Sequence, residues 1–235
     1  MWIEQILSLL SSICKLHSSR KVFKRKHIDK QQPISDFEDF VQNEHPSTWD
    51  DIHHSQRHPN LYRDCLDTIL VNEQNGLGGY TERPLMDAID LHIDHFRKKG
   101  MNWPKSVTFD WNNLVVESRN PHFGACYKDA HTSDTVDYGR LLNPMVDYPE
   151  QMMTYIPNGK LTPCDGLNDI CKNKVDFTIE RFNLNHQLLR AERETLIKII
   201  INDYAMLSDE EVRSALDDNG YPTVVEYALM LRQVQ

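Results

Sequence analysis

The sequence predicts an α+β fold, mainly helical around a small β-rich core. Apolar residues recur at helical spacing before residue 75 and again after residue 175. Between those stretches lies a β-branched run ending Leu114-Val115-Val116. Glycine- and proline-rich turns join the segments, as in GLGGYTERP over residues 76–84.

Taken in order, residues 1–17 carry Ile3, Ile6, Leu7, Leu10 and Ile13 at helical spacing and predict a short amphipathic helix, followed by a basic linker. This makes 1–32 a segment suited to docking a partner. From Pro33 to Asp51 the chain reads as an irregular lead-in with one short helix. Residues 59–75 place Leu61, Cys65, Ile69 and Leu70 on one side of a helix that Asn75-Gly76 would end. Residues 85–96 read as a helical turn leading into a strand or turn near 91–95. Thr108 to Val116 reads as loop into a β-rich segment. Four prolines and few periodic apolar positions between 131 and 175 predict an extended wrapping segment, which completes a core unit of 33–175. In the last unit, 176–235, Ile179, Phe182, Leu188, Leu196, Ile200 and Tyr204 support one or two long helices. Ser208-Asp209-Glu210-Glu211 has the form of a capping box, and Pro222 suits the first turn of a last helix.

Composition narrows the functional classes. With 40% hydrophobic and 26% charged residues, the 235-residue chain has the make-up of a soluble globular protein. No apolar run approaches the ~20 residues that span a bilayer, and the first residues lack the basic start and small-residue end of a signal peptide. A cytoplasmic location with no membrane partner is the expectation. The five cysteines, Cys14, Cys65, Cys126, Cys164 and Cys171, are odd in number and lack a C-x-x-C spacing, so free thiols are expected. The formal charge of −9 disfavours an autonomous nucleic-acid binder. That charge is uneven: residues 1–30 hold seven basic side chains against Glu4 and Asp29, which leaves −14 on the remainder.

The chemistry-bearing stretch is Leu91-His92-Ile93-Asp94-His95-Phe96. Histidine suits a general base because it titrates near neutrality, and a carboxylate suits a hard cation. Neighbours on a strand point to opposite faces, so a bend would have to bring Asp94 and His95 together. Asn113 follows His95 by eighteen residues, and His122 follows Asn113 by nine. Arg97, Lys98, Lys99 and Lys105 form a positive patch beside the pair. His53-His54 with Asp50 and Asp51 reads as a surface loop rather than a metal cluster, and His92 as a solvent-facing or capping residue. Phe109 and Trp111 read as core residues that hold the Asn113 loop.

An Asp-His pair, an Asn before a Leu, and a later His resemble, in order and spacing, the HNH or ββα-metal nuclease motif. The wider run LYRDCLDTILVNEQNGLGGYTE, HIDHFRKK, WPKSVTFDWNNLVVESRNPHFGACYKD and FNLNHQLLRAER is similar to the HNH nuclease subunit, PtuB, of Septu anti-phage systems, including those encoded beside a retron. The resemblance covers roughly residues 33–200. It implies a small ββα-metal (HNH) core within the α+β fold and a metal-dependent endonuclease. Its implied partners are an ABC/SMC-type ATPase, PtuA, the nucleic-acid substrate and, in retron versions, a reverse transcriptase with its RNA–DNA hybrid.

Carried over residue by residue, the resemblance makes His95 the general base, Asn113 the motif asparagine that orients it, and Asp94 and His122 the ligands of a divalent cation, Mg²⁺ or Mn²⁺. Lys128, Asp129 and His131 are alternatives to His122. Arg97, Lys98, Lys99 and Lys128 are candidate nucleic-acid contacts. Many relatives carry C-x-x-C pairs where this chain reads Gly78-Gly79-Tyr80-Thr81 and Ser118-Arg119-Asn120-Pro121. A structural zinc is therefore expected to be absent, with other packing bracing the fold. Two competing readings remain: a catalytically degenerate HNH scaffold acting as an adaptor, and an HNH enzyme specific for RNA rather than DNA.

Overall fold

The structure is a computed structural model that describes residues 27–86 and 88–233. The amphipathic helix expected over 1–17 lies outside the described residues. The fold is mixed α+β and mainly helical, with two small antiparallel sheets.

The chain begins with a short helix α1 (Ser35–Asp39) that widens into a π turn over Phe40–Glu44, then a 3-10 turn over Trp49–His54. Helix α2 (Leu61–Asp67) follows and runs on as a π turn over Thr68–Glu73. Leu61, Cys65, Leu66, Ile69 and Leu70 are buried along one side of it. The helix ends where the sequence predicts, because Asn75 and Gly76 both adopt left-handed backbone, at φ 53° and 77°.

Strand β1 (Leu91–His95) pairs antiparallel with β2 (Leu114–Ser118), with Asp94 opposite Val115 and His95 opposite Leu114. Among the described residues no helix is formed between Glu73 and β1. The described residues before β1 hold instead a turn, closed by Ala88 N donating to Leu85 O at 3.0 Å, and a bend at Ile89 and Asp90, and the Leu77–Pro84 bridge ties this stretch back to the glycine-rich turn. Helix α3 (Gly124–His131) follows β2 and packs on it.

The hairpin lies between two apolar clusters. Leu114 and Val116 join Trp49, Ile69, Ile93 and Trp111 on one side, while Val115 joins Phe96, Ala125 and the C-terminal helices on the other. Leu114, Val115 and Val116 are all fully buried, and each contributes about 1.5–3 kcal/mol through that burial. The edge of β2 is covered by a side chain: Gln74 accepts from Val116 N at 2.8 Å and donates to Val116 O at 2.8 Å.

The stretch 131–175 is more than a wrapping segment. After the short helix α4 (Pro149–Met152), β3 (Met153–Tyr155) and β4 (Leu161–Pro163) form a second antiparallel pair. Leu141, Leu142, Met153, Tyr155 and Leu161 enter the larger cluster. Helix α5 (Asp169–Arg181) starts earlier than Val175 because the Asn168 side chain accepts from Cys171 N and caps it. Helix α6 (Gln187–Lys198), extended by a π turn over Ile199–Asp203, is followed by α7 (Asp209–Ala215) and α8 (Pro222–Arg232). The Ser208–Glu211 capping box and Pro222 at the helix start are both present. Among the described residues, no helix is long and apolar enough to cross a membrane.

Candidate active site at the end of the hairpin

His95 ends β1 and is 3% exposed. Its Nε2 lies 2.9 Å from Thr108 O, and a carbonyl only accepts, so Nε2 carries the proton and Nδ1 is left as the basic nitrogen. The Trp49 indole stands edge-on to the imidazole, with ring centroids 4.5 Å apart. Burial pushes the imidazole pKa down to about 4, against the pull of Asp94, so the ring is neutral near pH 7.

Asn113 explains why Thr108 O is in place. Residues 96–113 connect the two strands with little regular structure, so their backbone groups need other partners. Asn113 Oδ1 accepts from Arg97 N at 2.7 Å, while its Nδ2 donates to Arg97 O at 3.2 Å and Val107 O at 3.0 Å. One buried amide thus ties both ends of the loop, one residue from the carbonyl that orients His95. Asn113 acts on the base through the backbone and is a positioning residue.

Asp94 and His95 do not converge. The bend that would bring them together is absent, and their side chains leave opposite faces of the hairpin. His95 packs with Trp49 of the smaller cluster, and Asp94 faces Tyr80 and α3 beside the larger one. Asp94 Oδ2 accepts from Tyr80 Oη at 2.6 Å and from Lys128 Nζ at 2.7 Å. Lys128 Nζ also reaches His95 O at 2.7 Å, Phe96 O at 3.1 Å and Asp129 Oδ1 at 3.0 Å. Burial alone would lower the ammonium pKa, yet Asp94 and Asp129 raise it above the ordinary lysine value.

Lys128 is therefore not placed to touch nucleic acid. It is fully buried, and its three hydrogen bonds go to Asp94 Oδ2, His95 O and Phe96 O, with Asp129 beside it as an ion pair. His122, the expected second ligand, is exposed, and its ring stacks on His186 at 5.8 Å. The chain leaves β2 at Ser118, which pairs with Leu91 at the end of the hairpin away from His95. Lys128, not His122, is thus the residue that α3 returns to Asp94. His131 is exposed and stacked on Tyr127.

Of the basic patch, Arg97 and Lys99 are exposed. Lys98 donates to Asp129 O at 2.6 Å, and Arg97 lies over the Trp103 ring at 5.7 Å. His53 packs on Tyr62, Asp51 caps its own turn, and His92 is half-buried rather than solvent-facing. Among the described residues, Cys65, Cys126, Cys164 and Cys171 form no disulfide.

Sequence reasoning missed the device that braces the hairpin. Glu117 is fully buried on β2 and accepts from Tyr80 N and Thr81 N, both at 3.2 Å, from Thr81 Oγ1 at 3.1 Å and from Ser118 N at 2.9 Å. It joins the two segments, 78–81 and 118–121, in which the resemblance places cysteine pairs. The available signal was a carboxylate inside the apolar run Leu114-Val115-Val116.

The donor set does not fit a divalent cation as arranged. Mg²⁺ needs a near-octahedral shell of oxygens at about 2.0–2.1 Å. Asp94 Oδ2 is instead committed to an ammonium and a phenol, and among the described residues no group of three or more His, Cys, Asp or Glu could share a metal ion. Compared with family models and with curated proteins, the chain matches none.

Proposed function

We propose that the chain is an HNH-type endonuclease, the effector of an anti-phage complex of the Septu or retron-Septu kind, with His95 as general base. The observation that supports this reading best is the placement of His95: its imidazole is fixed through Nε2 on Thr108 O at 2.9 Å, which leaves Nδ1 unprotonated and able to accept a proton. The order strand, strand, helix around it and the Asn113 brace are consistent with the same reading. In this mechanism Nδ1 takes a proton from water, the water oxygen attacks phosphorus, and the bond from phosphorus to the leaving oxygen breaks. The Nε2 contact stabilises the imidazolium that forms. The leaving oxygen takes its proton from solvent. No step is assigned to a cation at Asp94, because the residues there do not fit one.

The acidic body and the burial of His95 support a free subunit that is weakly active and an ATPase partner that supplies both cationic surface and access. One observation favours a second reading, that of a degenerate scaffold serving as an adaptor: Lys128 stands where a ligand would face Asp94. The test is cleavage of plasmid DNA and of total RNA by the chain co-purified with the products of its neighbouring genes, in Mg²⁺, Mn²⁺ or EDTA. The expectation is cutting that vanishes in His95→Ala while circular dichroism is preserved. Cutting by His95→Ala at the wild-type rate would refute the assignment, and an intact complex inert on both substrates would favour the adaptor.

A further inference from the structure

We propose that Lys128 is a built-in cation at Asp94: its ammonium stands where the resemblance puts a divalent ion, so Asp94 serves as its counter-ion and takes no metal. The oxygens around Lys128 Nζ are two carboxylate and two carbonyl oxygens, the donor chemistry of a hard-cation site. Their spacing suits an ammonium and not Mg²⁺: they lie 2.7, 3.0, 2.7 and 3.1 Å from Nζ, well beyond a metal–oxygen bond.

The ammonium is also the right charge for the place. Asp94 and Asp129 are both within ion-pair distance of it, and the Asp94 pair is closed to water, since Lys128 and Asp94 are 0% and 3% exposed at the side chain, whereas Asp129 is 35% exposed and partly screened. A divalent ion entering beside the ammonium would meet a like charge a few ångströms away in a poorly screened interior. Tyr80 adds a second donor on the same Asp94 oxygen, at 2.6 Å.

The consequence for the site is mechanical. Lys128 holds the carboxylate of Asp94 and the carbonyls of His95 and Phe96, three consecutive residues at the point where the chain leaves β1. It fixes the backbone that carries the candidate base without touching substrate, so it is a positioning residue. The inference concerns what Asp94 binds, and it stands whether or not the chain cleaves nucleic acid.

Binding of Mn²⁺ alone, followed by the loss of the free-ion electron paramagnetic resonance signal, tests it in the full chain. Four proteins are compared: wild type, Asp94→Asn, Lys128→Met, and Lys128→Met with Asp94→Asn. Asparagine keeps an oxygen that can accept from Lys128 and Tyr80. Wild type and Asp94→Asn are expected to bind Mn²⁺ equally. Lys128→Met is expected to gain affinity on the order of a hundredfold, because the repelling charge is gone, and to lose the gain when Asp94→Asn is added. Wild-type binding that falls about tenfold or more in Asp94→Asn would overturn the proposal. So would a folded Lys128→Met that gains nothing. Should Lys128→Met fail to fold, the comparison of wild type with Asp94→Asn decides by itself.

Discussion

Replacing Glu117 with alanine should destabilise the protein by about 3 kcal/mol, a large share of the 5–15 kcal/mol typical of a native domain. The substitution removes the acceptor of Tyr80 N and Thr81 N, which are closed to water, and of the partly buried Ser118 N. A buried donor left unmade costs about 1–3 kcal/mol, so the three cost up to about 9. Relief from burying an ionised carboxylate offsets several of these. Glu117→Gln retains one acceptor oxygen and should cost about 1–2 kcal/mol. Burial holds the Glu117 pKa above its ordinary 4.5, so the folded state keeps the proton to higher pH than the unfolded state does. The contribution of this titration is therefore complete below pH 4.5 and is lost as pH rises through the raised folded value. The wild-type advantage over Glu117→Gln should shrink as pH climbs from 4.5. Urea unfolding followed by tryptophan fluorescence measures both effects, since Trp49 and Trp111 are buried in the cluster against the hairpin. An alanine cost below about 1 kcal/mol, or an advantage that grows with pH, would refute the reasoning.

Two further substitutions probe the loop and the second hairpin. Asn113→Ala removes three hydrogen bonds and should cost about 3 kcal/mol in the same assay; amide exchange should accelerate at Arg97 and Thr108, and unchanged exchange at both would mean that other contacts hold the loop. Gly159→Ala should be destabilising by more than about 1 kcal/mol, because φ is +74° and the new Cβ would lie 2.3 Å from Arg190 O, a backbone atom that cannot rotate away. Gly139→Ala, with open space around it, is the control and should be near neutral in thermal melts.

The helices were legible because their signals are local. Asn75-Gly76 ends one, Ser208 with Glu211 starts another, and Pro222 opens a third, each within a few residues of the feature it controls. The strands were harder to read. β2 is buried on both faces, so Leu114 to Glu117 shows no polar alternation, and β3 and β4 have three residues each within a proline-containing stretch. At the site, Asp94, His95 and Asn113 could be found from residue type and spacing. Their partners could not, because Thr108, Lys128 and Tyr80 approach from other parts of the chain. That Asp94 and His95 face apart was foreshadowed by strand alternation, and the structure keeps that alternation with no bend to overcome it.

A path of contacts leads from the start of the described chain to the candidate base. Lys30 pairs with buried Glu73, which also accepts from Gln31 N at 3.0 Å and from Trp111 Nε1 at 2.8 Å. Trp111 opens the 3-10 turn that contains Asn113, and Asn113 holds the loop whose Thr108 carbonyl sets the tautomer of His95. Each link is directional and at least partly buried, so an error at one is passed on to the next. The charge pair of Asp94 and Lys128 reaches His95 differently, from the opposite face and through its carbonyl. The imidazole is thereby held from two sides by groups that do not touch each other. A change on the Asp94 side should act on the base only through the backbone of residues 94–96, whereas a change at Glu73 or Asn113 acts through the loop carbonyl that fixes the proton on Nε2.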